Sequence, residues 1–269
     1  FTHHRTVGRR DNAAPVEAEL QSFGPDGFTA LWAEGPRKGR LGSQHTTFLA
    51  PCLMWRDLTA KGFGRILTVV YATPIRPGEC RLFARFPFQF QSALPKLLVG
   101  LRPRWLQHLG NHTVLDDDQV FLHWQERTLA GRGGSGSYEQ ACFLPTGADL
   151  YVRQLHRWVR EFAGVPFPGQ PLPPRQLSEP LLERWHAHTK HCRACSGALA
   201  GIRRWRPLLL SAMGAAVLTF AVVPMPAVRV ALALWLAMGT LLLYQLAHWE
   251  SRLLQGDGHY PRNRLSRQR

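Results

Sequence analysis

With 269 residues, 45% of them hydrophobic, the chain is long enough to bury a real core and to form one or two domains. Its formal charge of +15 would suit a nucleic-acid partner, but the cations are almost all arginine, with only Lys38, Lys61, Lys96 and Lys190 as lysines, and they are scattered rather than gathered into a face or tail. Nucleic-acid binding is set aside for a basic surface close to a membrane, and the cysteines at 52, 80, 142, 192 and 195 are too few and too unevenly spaced for a disulfide scaffold.

The chain opens at Phe1 on FTHHRTVGRR and reads as starting inside a domain, with no recognisable signal or transit peptide. The adjacent His3 and His4 are either metal ligands or a surface pair. Residues 16–23, 28–33, 45–55, 66–72 and 79–90 are rich in β-branched and aromatic types and punctuated by Gly-Pro, Asp-Gly and Arg-Pro-Gly, which predicts strands pairing antiparallel across short turns. Cys52, Cys80 and Cys142 sit in apolar surroundings and are expected as small core residues.

After residue 90 the period becomes helical, with helices expected over 92–109, 116–129 and, as the clearest amphipathic case, 148–163. Three acids, Asp116, Asp117 and Asp118, open the second of these, where carboxylates satisfy free N–H groups and suit the helix dipole. Capping explains one or two of them; a third, turned inward, could ligate a metal. Residues 165–174, VPFPGQPLPP, form a proline-stiffened linker that closes the globular part. The fold class expected for that part is α+β, a curved antiparallel sheet with helices gathered on one side.

The run WHAHTKHCRAC at 185–195 follows, and Cys192 and Cys195 alone have motif spacing. His186, His188 and His191 could complete a Cys2His2 zinc site, but every donor then crowds onto one short segment, and the three histidines do not share a helix face. A redox-active dithiol is the expectation, its thiolate favoured by Lys190 and Arg193 and its partner a thioredoxin-like protein. Two uncharged apolar stretches, 208–223 and 230–247, approach the length that about 30 Å of hydrocarbon requires. Arg203, Arg204 and Arg206 precede them and Arg252, Arg262, Arg264, Arg267 and Arg269 follow, while the turn between them holds only Arg229. The expected structure is a transmembrane helical hairpin with both ends on one side of the membrane.

Several of these segments resemble Rieske-type oxygenases of the pheophorbide a oxygenase family. FTHHRTVGRR resembles the end of that family's iron-binding segment, and Asp-x-Val-Phe-Leu-x-x-Gln-Glu at 118–126 resembles the segment carrying its carboxylate ligand. LPTGADLYV at 144–152, continuing to Arg157-Trp158, resembles the helix that ends the catalytic domain. A CxxC followed by paired apolar helices matches the chloroplast branch that includes translocon-associated Rieske proteins. The resemblance implies a helix-grip-like catalytic domain over 1–164, a linker over 165–180, a CxxC segment over 181–200, two transmembrane helices within 203–252 and a basic tail over 253–269.

By that resemblance His3 takes the place of the second iron histidine, the first lying upstream of Phe1, and Asp118 supplies the carboxylate, with Asp117 the alternative one residue away. Two histidines and one carboxylate would hold a mononuclear non-haem Fe(II) with open positions for oxygen. A 2Fe-2S Rieske cluster would sit in a domain preceding this chain. The implied function is oxidation of a chlorophyll-derived tetrapyrrole, of the pheophorbide a or chlorophyllide a class, with O2 and electrons from ferredoxin. Trp32, Phe48, Trp55, Phe83 and Phe88 are candidates to line the macrocycle's cavity. The implied location is a chloroplast membrane, thylakoid or inner envelope, with the catalytic domain and both termini stromal, and a homo-oligomer is compatible with it. The alternative is a non-catalytic, membrane-anchored redox protein that binds a tetrapyrrole or a partner.

Overall fold

The computed structural model describes residues 15–33, 41–133 and 138–256. They fall into two compact units, one of Phe1–Leu101 with Phe121–Arg175, the other of Arg102–Val120 with Gln176–Arg269.

The first unit is built on an antiparallel sheet of seven strands, β1 Glu19–Gly24, β2 Gly27–Trp32, β3 Leu41–Leu49, β4 Leu53–Ala60, β5 Gly64–Arg76, β6 Glu79–Arg85 and β7 Phe88–Phe90. The first six follow chain order, and β7 pairs with β5 beside β6. Alternation puts Phe28 and Ala30 of β2 and Gln44, Thr46 and Phe48 of β3 on one buried face. Helix α3, Leu150–Trp158, covers that face with Trp158. The Trp158 ring meets Phe48 edge-on at 5.1 Å, and its Nε1–H donates to the Pro25 carbonyl at 2.8 Å. Burying a large ring while satisfying its one donor fixes where the helix lands.

The α+β class is as expected, but the sheet is open, with β1 at one edge and β6 at the other. The helix-grip arrangement stays an expectation that rests on the resemblance alone. The stretch expected as one strand over 45–55 turns at Ala50–Cys52 into β3 and β4, held by the Ala50 N–H donating to the Asp26 carbonyl at 2.9 Å. The stretch over 79–90 breaks at Phe86–Pro87, because a proline has no N–H for the ladder. Gly64 is obligatory at the β4–β5 turn: its φ is +126°, and a Cβ there would lie 2.0 Å from the Gln89 carbonyl oxygen of β7. Cys52 and Cys142 are half-buried and Cys80 is exposed, so none of the three is the core residue expected.

The helices beyond the sheet also differ from the expected boundaries. Helix α1, Ala93–Leu101, stops before Pro103, and α2 then runs unbroken from Arg104 to Ala130. The residue before a proline disfavours the helical conformation, which places the break at 102–103 rather than after 109. Asp116, Asp117 and Asp118 therefore lie in mid-helix, and the expected capping role does not apply to them.

The second unit takes residues 104–120 of α2, a series of short turns over 178–191, and two long helices, α4 Arg193–Val222 and α5 Pro226–Leu254. At 1.5 Å per residue, the 30 residues of α4 span about 45 Å, half as long again as a hydrocarbon core. Both α4 and α5 are long and apolar enough to cross a membrane, and their apolar windows are only 6% buried. Leu218 and Leu241 are among the side chains that stand exposed there. Where α4 meets α5 the buried residues are small, Ala216 and Gly239, which lets two helices approach closely.

Residues before 208 and after 247 extend past the apolar lengths, and there the unit has a true core. Leu109, Cys195, Leu199, Ile202 and Leu253 are buried together, with Trp105, Trp185 and Trp249 packed around them. Arg203 and Arg206 of α4 donate to the Glu250 carboxylate of α5 at 2.9 and 3.1 Å.

Candidate functional site

The expected iron ligand His3 lies outside the described residues, as does the side chain of Asp117. Asp118 is exposed on α2, and no trio of metal-ligating side chains found among the described residues includes it. The described residues therefore do not by themselves make a fitting iron site. Asp116 faces inward, buried and paired with the buried Arg184 guanidinium. Its burial is thus met by a structural ion pair.

Of the aromatics expected to line a macrocycle cavity, Phe48 is core, while Phe83 and Phe88 are exposed. A concavity of about 380 Å³, open to solvent, is lined instead by Glu139, Cys142, Phe143, Leu144 and Arg153.

A different constellation is assembled in the second unit. His108 of α2 places Nδ1 3.4 Å from the Sγ of Cys192 and 3.4 Å from the Sγ of Cys195. His188 places Nε2 3.4 Å from Cys195 Sγ. One donor atom from each of the four residues lies within 4.8 Å of every other. Cys192 occupies the position just before α4, and Cys195 turns into the core in the first turn of that helix, next to Leu199. The segment before α4 is pinned by the Thr189 hydroxyl, which donates to the Leu253 carbonyl at 2.6 Å.

The His112 ring stacks edge-on against His188 at 4.3 Å, one helical turn beyond His108. Burial, reinforced by the Arg184 charge and the neighbouring imidazoles, lowers His112 to about 3. Burial likewise lowers His188 to about 4, helped by His108, Arg184 and His191, and it lowers His108, with Arg104 adding to the effect. These imidazoles are neutral at physiological pH, the form that binds metals. Burial pushes the Cys195 thiol up to about 12, with the adjacent Cys192 adding to it. The expected activation by nearby cations is therefore outweighed at Cys195.

His186 and His191, weighed as ligands from the sequence, do not join the group; the His186 ring faces Glu183 at 3.2 Å. His108 was missed because it comes from another helix, 84 residues before Cys192. The available signal was His108–His112, two histidines four apart and so on one helix face.

The model of the pheophorbide a oxygenase family matches residues 48–135. The chain is related to that family. Pheophorbide a oxygenase of Oryza sativa subsp. japonica is 30% identical over 236 residues, covering 79% of this chain and 43% of that protein. The Arabidopsis thaliana pheophorbide a oxygenase is 30% identical over 238 residues, with the same shares of 79% and 43%. Protochlorophyllide-dependent translocon component 52 of Arabidopsis thaliana is 27% identical over 216 residues, 70% of this chain and 36% of that protein. The chain spans less than half the length of these relatives, all of which are named as chloroplastic. No solved structure matches. The family segment takes in strands β4 to β7, α1 and all of α2, so it includes Asp116, Asp118 and His108.

Proposed function

We propose that this chain is the C-terminal, catalytic and membrane-anchoring part of an oxygenase that acts on a chlorophyll-derived tetrapyrrole in a chloroplast membrane. The observation that carries the reading is the run of similarity to two pheophorbide a oxygenases across 79% of the chain. Two helices long and apolar enough to span a bilayer support the anchor. Rows of arginine at the outer ends of both helices support a stromal location for those ends. O2 is the oxidant and ferredoxin the electron source in this reading, delivered through a 2Fe-2S Rieske cluster on a preceding domain. Asp118, with Asp117 beside it, and His3 are its iron ligands, assigned by resemblance. Because the described residues do not assemble that site, no chemical step is derived through the metal.

The second reading is a membrane-anchored protein that binds a tetrapyrrole or a partner without turnover, and the exposed position of Asp118 favours it. Asp118→Asn in the full-length natural protein separates the two. On an exposed helix position it should leave the fold intact. The oxygenase reading expects loss of bound iron and of turnover on a panel of pheophorbide and chlorophyllide pigments. Full iron and full turnover in that variant and in His3→Ala would refute the ligand assignment, and absence of turnover by the unaltered protein on every pigment would leave the binding reading.

A further inference from the structure

We propose that His108, His188, Cys192 and Cys195 bind one Zn2+ as a closed structural site that locks α2 to the base of the helix pair. The residue types are a Cys2His2 set, one of the donor sets that structural zinc sites use. The spacing fits as well. With zinc–sulfur bonds of about 2.3 Å and zinc–nitrogen bonds of about 2.0–2.1 Å, a tetrahedron sets sulfur and nitrogen roughly 3.6 Å apart. Three such pairs here stand at 3.4 Å.

Hydrogen bonding alone accounts for less. An imidazole nitrogen carries either one N–H or one in-plane lone pair, so His108 Nδ1 can bond well to one thiol but not to both. A single ion at the centre explains why both sulfurs sit equally close to it. The same proximity rules out a two-iron cluster of the Rieske kind, where cysteines and histidines bind different irons. Soft sulfur with imidazole in a tetrahedral frame selects zinc among the available divalent ions. All four positions are filled by protein, so the ion has no open site for a substrate and acts by tying elements together.

The location gives that tie a purpose. His108 comes from α2, His188 from the turns before α4, and the cysteines from the start of α4. Counting 13 residues from Cys195 to Leu208, the site stands roughly 20 Å along the helix from the first apolar residue of the span. It belongs to the part of the unit outside the hydrocarbon, where Cys195 already packs with Leu109 of α2 and Leu253 of α5. A zinc there cross-links α2 to the 188–195 segment, with His108 and Cys192 84 residues apart in the chain, which a small core gains from most.

The test is metal analysis of the detergent-solubilised chain purified from zinc-replete cells, with the thiols titrated in parallel. About one zinc per chain is expected, with Cys192 and Cys195 reacting slowly until a chelator is added. His108→Ala and Cys195→Ser should lose the ion, with zinc affinity falling by more than the roughly hundredfold that a supporting residue costs. His186→Ala and His191→Ala should keep it. If His108→Ala fails to fold, His108→Cys provides the second arm: it restores a ligand, and cobalt substitution should then show a stronger thiolate-to-metal absorption than in the unaltered chain. A protein without zinc whose two thiols react at once, or oxidise readily to a disulfide, overturns the proposal in favour of a redox dithiol. Zinc that survives His108→Ala but not His186→Ala overturns the ligand set.

Discussion

Replacing Asp116 by asparagine tests whether the second unit is a packed domain. The Arg184 side chain is 2% exposed and that of Asp116 is 9% exposed, so both charges are out of water. Two unit charges about 4 Å apart attract by about 4 kcal/mol at an effective dielectric near 20. Without the carboxylate, Arg184 keeps a 3.4 Å contact to the Arg252 carbonyl, a weak substitute. Breaking one side of a buried pair costs about 3–5 kcal/mol. For a chain of this size, each kcal/mol moves Tm by roughly 2–4 °C, so a drop of about 6–20 °C is expected. Thermal unfolding in detergent, followed by tryptophan fluorescence, reads the right region, because Trp105, Trp185 and Trp249 pack into that core. The double replacement Asp116→Leu with Arg184→Met removes both charges, and should cost far less than either single change. A Tm within about 2 °C of the unaltered chain for Asp116→Asn would show that the pair is not buried in solution, and the argument would fail.

Two further outcomes follow from other parts of the chain. His156 stacks on Tyr138 at 3.7 Å, and burial lowers its pKa below the ordinary 6.5, with Arg160 reinforcing and Glu139 opposing. The unfolded chain then takes up the proton first, so the stability from neutral His156 is complete above pH 6.5 and is lost as pH falls below it. His156→Phe should narrow the Tm difference between pH 7.5 and 5.5 by the His156 share, the other buried histidines keeping theirs, and an unchanged difference would count against the assignment. Leu218 stands exposed in the apolar stretch 208–223, towards the C-terminal end of α4, and arginine costs up to about 2.5–3.5 kcal/mol at the centre of a membrane helix. Leu218→Arg should reduce the fraction of chain that resists alkaline carbonate extraction from membranes. Equal retention would argue against a spanning helix.

What the sequence determined by itself was whatever depends on near neighbours. The β-branched and aromatic run at 28–33 between turn residues made β2 legible, because strand propensity and turn chemistry are local. The uncharged lengths at 208–223 and 230–247 marked two apolar helices, because composition alone carries that requirement. The Cys192–Cys195 spacing announced metal or redox chemistry, and the family segments pointed to an oxygenase before any fold was in view. Tertiary structure decided the rest. It ran α2 straight through three acids and set Asp116 against Arg184, a partner 68 residues away, while Asp118 stands exposed. It also set residues 102–120 beside the helix pair and so brought His108 to the two cysteines, in place of the nearer His186 and His191. Local rules rank donors by distance along the chain, but a tetrahedral site is filled by whichever donors packing brings within a few ångströms, and that depends on the burial of Leu109, Leu199 and Leu253 around it.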